Sequence, residues 1–96
     1  MDYSLSETLK VEIIDLALQC KLDKVILFGS RARGDNHERS DIDLAIQGGN
    51  TIAFAASVDE DIPTLLMFDI VDLDKPIQKE LLEEIRKDGI VIYEKT

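Results

Sequence analysis

The sequence predicts a mixed α/β (α+β) fold, with helices over one face of a small mixed β-sheet, and three observations point to it. Segments of helical and strand periodicity alternate along the whole chain. No Pro-, Gly- or Ser-rich linker divides them. The 96 residues, 45% hydrophobic and 32% charged, suffice for one core, so residues 1–96 are expected to form a single domain.

Ser4-Leu5-Ser6-Glu7 has the spacing of a capping box, and Leu9, Ile13, Leu16 and Ala17 then recur every three to four residues, which predicts a helix to about Gln19. Lys24–Phe28 (KVILF) is a β-rich run stopped by Gly29-Ser30, and the polar stretch 31–40 leaves room for a turn and a short helix. Asp41–Ile46 alternates polar and apolar at its start, as a strand with one solvated face does, and Gly48-Gly49-Asn50 ends it. Thr51–Val58 reads as a weakly amphipathic helix, broken by Asp59-Glu60-Asp61 and Pro63. Leu65–Leu73 is the third strand. Lys75–Lys87 is a stronger helix, with Ile77, Leu81, Leu82 and Ile85 on one face and Gly89 as its stop, and Ile90–Tyr93 adds a short last strand. The uncovered face of the sheet is left for a site.

Charge narrows the function classes. The 20 Asp and Glu against 11 Lys and Arg give a net charge of -9, the wrong sign for gripping nucleic-acid phosphates directly. An acidic chain can still handle phosphate compounds if some carboxylates hold Mg²⁺, because the cation reverses the local sign. Cys20 is the single cysteine, so no internal disulfide forms. The longest apolar run, Ile52–Ala56, is far short of a membrane span, and the N-terminus lacks a signal-peptide layout. A soluble, cytoplasmic protein is expected.

The sharpest chemical signal is Gly29-Ser30 followed, ten residues on, by Asp41-Ile42-Asp43. Gly29 permits a tight turn after a buried strand, and the amides that follow, with the Ser30 hydroxyl, can point donors at phosphate oxygens. Asp41 and Asp43 lie two apart on a strand, hence on one face with Cα atoms about 6.5 Å apart, within reach of shared Mg²⁺ ions. On the third strand, Phe68 and Ile70 should face the helices, which puts Asp69 on the site face and favours it over Asp72 as a further carboxylate, unless a bulge shifts the parity. Arg31 and Arg33 are candidates for phosphate contact, balanced against simple pairing near Asp35 and Glu38.

Phe28-Gly29-Ser30-Arg31-Ala32-Arg33-Gly34 followed by Ser40-Asp41-Ile42-Asp43-Leu44 resembles the signature of the polymerase β-type nucleotidyltransferases, and the short length resembles their minimal nucleotidyltransferase group. The likeness runs through Val71-Asp72-Leu73 and the closing helix and strand, so it covers nearly the whole chain. It implies the palm-like nucleotidyltransferase fold, two metal ions on the residues matching Asp41 and Asp43, completion of the site by the one matching Asp69, and a triphosphate held at Gly29 and Ser30. It further implies transfer of a nucleoside monophosphate from an NTP, with ATP preferred, to an acceptor hydroxyl with release of pyrophosphate. Members of the minimal group commonly stand beside a HEPN-domain protein and serve as its antitoxin, some by adenylylating a tyrosine of that toxin. Larger members carry a helical acceptor-binding domain that 96 residues cannot hold, so acceptor recognition is expected from a partner chain or another copy of this one. That absence weakens transfer to a small molecule, and leaves a non-catalytic nucleotide-binding or masking subunit as the alternative.

Other motif classes fail on detail. Gly29 to Gly34 has the glycine spacing of a Walker A loop, but Asp35 stands where that loop needs Lys. The Asp41-x-Asp43 pair opens a strand, whereas haloacid dehalogenase-type aspartates close one. His37 has no Cys or His partner in its polar loop, and Cys20 is expected to pack. Leu65, Leu66 and Met67 are expected mainly in the core, with a subunit interface as their other use.

Overall fold

The computed structural model describes residues 3–96. Its elements are α1 (Glu7–Gln19), β1 (Lys24–Phe28), α2 (Gly29–Arg33), β2 (Ile42–Gln47), α3 (Thr51–Asp61), β3 (Phe68–Asp72), α4 (Lys79–Asp88) and β4 (Ile90–Glu94). They build a four-stranded sheet in the order β3-β2-β1-β4. β1 runs antiparallel to both β2 and β4, and β3 is parallel to β2, so the sheet is mixed as expected.

Alternation within the strands sorts the apolar side chains into two layers. Val25, Leu27, Ile42, Leu44 and Ile46 are fully buried against Ile13, Leu16 and Ala17 of α1 and Phe54 and Val58 of α3. This is the main core. Phe28 and Ala45 point the other way and meet Ile85 of α4, with Ile26, Val71, Leu73 and Leu81 around them. The expectation of helices on one face therefore holds for α1 and α3, while α4 crosses the opposite face. Its narrow apolar stripe explains the placement, since Ile85 is the one buried residue of α4 and covers only part of that face.

Element boundaries shift where a local preference yields to a neighbour. Ser6, not Ser4, caps α1, its Oγ accepting from the Leu9 amide at 3.2 Å. Asp59-Glu60-Asp61 does not break α3. The helix runs on because Val58 and Ile62 are both buried at helical spacing while the three acids stay solvated, and it ends at Asp61, with Ile62 as its cap before Pro63. β3 begins at Phe68 rather than Leu65, and α4 begins at Lys79, after Pro76. None of the helices among the described residues is long and apolar enough to cross a membrane.

Candidate functional site

Three segments meet at one end of the sheet, because β1 ends where its antiparallel neighbour β2 and the parallel β3 begin. β1 delivers Gly29 and Ser30, which open α2. No side chain caps that helix at Phe28, so its first amides keep the donor capacity the sequence assigns them. Gly29 has φ +74, in the left-handed region, and the Cβ it lacks would stand 3.0 Å from Asp43 Cγ and closer still to the carboxylate. Glycine is therefore required twice over, by conformation and by the approach of the acid.

Phe28 is the cross-strand partner of Asp43, and Asp43 is in turn level with Asp69 on β3. In this register, Asp43 and Asp69 stand level on neighbouring strands and share the parity of Ala45 and Val71, on the α4 face. Burial first, then repulsion from Asp69, Asp41 and Glu84, raises the Asp43 carboxyl to about 6. Asp41 sits one residue before β2, exposed beside the pair. Glu84 of α4 is a fourth carboxylate of this neighbourhood. The sequence offered no signal for it, because a helix crossing the site face was not expected.

Among the described residues no three Asp, Glu, His or Cys side chains form a ready-made metal cage. The carboxylates nonetheless fit a hard divalent cation bound with a phosphate-bearing ligand. Mg²⁺ is usually held by one or two carboxylates together with substrate phosphates and water, not by an all-protein cage.

Asp72 points the other way, as strand parity predicts: it accepts from Thr51 Oγ1 at 2.7 Å and from the Asp74 amide at 2.9 Å, tying β3 to the start of α3. The two arginines are placed differently from a phosphate clamp. Arg31 is 6% exposed, and its guanidinium donates to the carbonyls of Ser40 (3.0 Å), Glu38 (3.0 Å) and Ser4 (3.3 Å). Its donors are committed to main chain, which corrects the phosphate reading for this residue. Arg33 pairs with Asp35 at 3.1 Å, Asp88 at 3.3 Å and Glu84 at 3.7 Å. His37 is exposed, and its amide donates to Ser40 Oγ at 2.7 Å. Leu65 is 101% and Met67 63% exposed, so the core reading fails for both, while Leu66 does pack on the core.

Known proteins share this fold. Over 33 residues the chain is 61% identical to a Methanocaldococcus jannaschii protein that carries the name of a protein adenylyltransferase; the match spans 34% of this chain and 33% of that relative. Among solved structures, the chain is similar to one from a mutant form of the toxin–antitoxin complex MntA-HpeT, with TM-score 0.70 and 27% identity over 97% of this chain and 76% of that one. A toxin–antitoxin structure with AMP-PNP matches with TM-score 0.65 and 25% identity, over 91% and 74% of the two chains. A Sulfolobus solfataricus structure described as a nucleotidyltransferase, 24% identical over 92% and 78% of the chains, shares the fold at TM-score 0.57. Residues 10–96 match the family described as "Polymerase beta, Nucleotidyltransferase", and the chain belongs to that family.

Proposed function

We propose that this chain is a Mg²⁺-dependent nucleotidyltransferase that moves the adenylyl group of ATP onto a hydroxyl of a HEPN-domain toxin, acting as its antitoxin in the cytoplasm, with residues 1–96 working as one domain. The observation that carries the reading is the pairing of Asp43 with Asp69 across parallel strands, directly beside the glycine that opens α2. Membership of the nucleotidyltransferase family and the likeness to toxin–antitoxin structures, one of them with AMP-PNP, support it.

Asp41, Asp43 and Asp69 would hold the metal, which neutralises charge on the attacking and leaving oxygens of an in-line displacement. Gly29 lets the main chain approach the triphosphate, and Ser30 and the first α2 amides donate to it. Asp69, exposed on the end strand, would accept the proton of the incoming hydroxyl. The hydroxyl oxygen forms a bond to the α-phosphorus, the bond to the bridging oxygen of the β-phosphate breaks, and pyrophosphate leaves.

Label transfer tests this. With α-labelled ATP and Mg²⁺, the chain should label its neighbouring toxin, γ-labelled ATP should label nothing, and Asp41→Asn with Asp43→Asn should abolish the signal. Failure to label a toxin that binds the chain would replace enzyme with masking subunit.

A further inference from the structure

β3 is an end strand of the sheet, and its hydrogen bonds to β2 leave a defined set of main-chain groups unused. The Ile42 amide donates to Met67 O at 2.9 Å and the Leu73 amide to Ile46 O at 2.8 Å. In a parallel ladder this phase turns the amides and carbonyls of Asp69 and Val71 toward β2 and those of Phe68 and Ile70 outward. Beside this edge, Met67 shares the parity of Asp69 and Leu65 projects fully into solvent. Leu65 and Leu66, with Glu38 and Arg39, also line a cavity of about 220 Å³. An open edge, two exposed apolar side chains and a cavity thus lie together where β3 begins, and Asp69 stands on that strand.

Resting on the transfer reading above, we propose that this edge docks the acceptor as an extended basic polypeptide segment, added alongside β3, which brings its hydroxyl level with Asp69. Main-chain pairing at Phe68 and Ile70 would set the register. An added strand lies about 4.8 Å from β3, so a side chain opposite Asp69 falls on the same face beside the carboxylate pair. An apolar residue two positions away then covers Met67, which is how strand addition combines main-chain affinity with side-chain selection. Charge selects the sign of the segment: Asp69 lies on the edge strand, Asp41 precedes the residue whose amide bonds Met67 O, Glu38 lines the cavity together with Arg39, and the chain carries -9 overall.

The experiment uses the whole chain and the peptide Arg-Leu-Arg-Tyr-Arg-Leu-Arg, with a copy in which Pro flanks the Tyr and a copy with Glu for every Arg. Hydrogen exchange at the Phe68 and Ile70 amides should slow at least tenfold with the first peptide and with neither control. Label transfer from α-labelled ATP should follow the same order. Leu65→Ser with Met67→Ser should weaken labelling of the peptide at least fivefold while leaving ATP binding unchanged. Exchange protection without labelling would support the docking edge and overturn the transfer reading. Labelling of all three peptides alike, or no protection of the two amides, would overturn the docking edge whatever the chemistry.

Discussion

Gly29 and Asp43 hold the site in contact, and each makes a prediction. Gly29→Ala puts a methyl group into the Asp43 carboxylate at a φ that alanine resists, so it should cost about 1–3 kcal/mol and remove nucleotide binding; calorimetry and ATP titration of the variant check both. Asp43 titrates near 6, against an ordinary carboxyl at 3.8. Between those values the native state holds more protons than the unfolded chain, so stability of the metal-free protein falls as pH rises from about 4 to about 6 and is level above. The carboxyl is only partly buried, which limits the loss to about 1 kcal/mol, readable as a urea midpoint that drops over that window in wild type and not in Asp43→Asn. Bound Mg²⁺ must displace that proton, so its affinity should climb over the same pH range. Asp69 and Asp72 divide cleanly: Asp69→Asn should abolish label transfer with little change in melting temperature, whereas Asp72→Ala should lower it by releasing Thr51 while transfer persists.

At the scale of elements, Arg31 shows what one sequence does and does not disclose. The strand-turn-strand signature, the opposite parity of Asp69 and Asp72, and a short helix after Gly29 were legible because each follows from local periodicity or glycine conformation. Arg31 was not, since a polar loop containing arginine looks the same whether the guanidinium faces phosphate or is buried against three carbonyls. Nor was Glu84, whose place depends on α4 crossing the sheet face opposite α1 and α3, a choice settled by the long-range contact of Ile85 with Phe28 and Ala45. The exposure of Leu65 and Met67 is likewise tertiary: β3 starts three residues later than its apolar run suggests, and the run's first half is left in the turn. Arg31 bonds the carbonyl of Ser40, the residue before Asp41, so it fixes the entry to β2. Arg31→Ala should therefore destabilise by about 2–4 kcal/mol, and Arg31→Lys should recover only part of this because an ammonium cannot span three separated carbonyls. Denaturant melts of the two variants make the comparison.

Over the whole molecule, -9 of charge is carried by a chain whose Cα radius of gyration is 12.3 Å, about one and a half Debye lengths at physiological ionic strength. Self-repulsion of that kind destabilises the compact state, and Asp41, Asp43, Asp69 and Glu84 concentrate part of it at one end of the sheet. Two effects of added cation then separate. NaCl screens the general field and should raise the melting temperature gradually, in wild type and in the Asp41→Asn, Asp43→Asn double variant alike. Mg²⁺ that enters the carboxylates binds the native state alone and adds stability as RT ln(1 + [L]/Kd), about 2.7 kcal/mol at a hundredfold excess over Kd. At matched ionic strength the wild-type melting temperature should therefore rise further with MgCl₂ than with NaCl, and the excess should vanish in the double variant, which has also lost two of the repelling charges and should start from a higher melting temperature. Equal shifts with the two salts in wild type would mean that the acidic surface acts only as a diffuse field, and that the carboxylates at the end of β1 do not form a cation site without nucleotide.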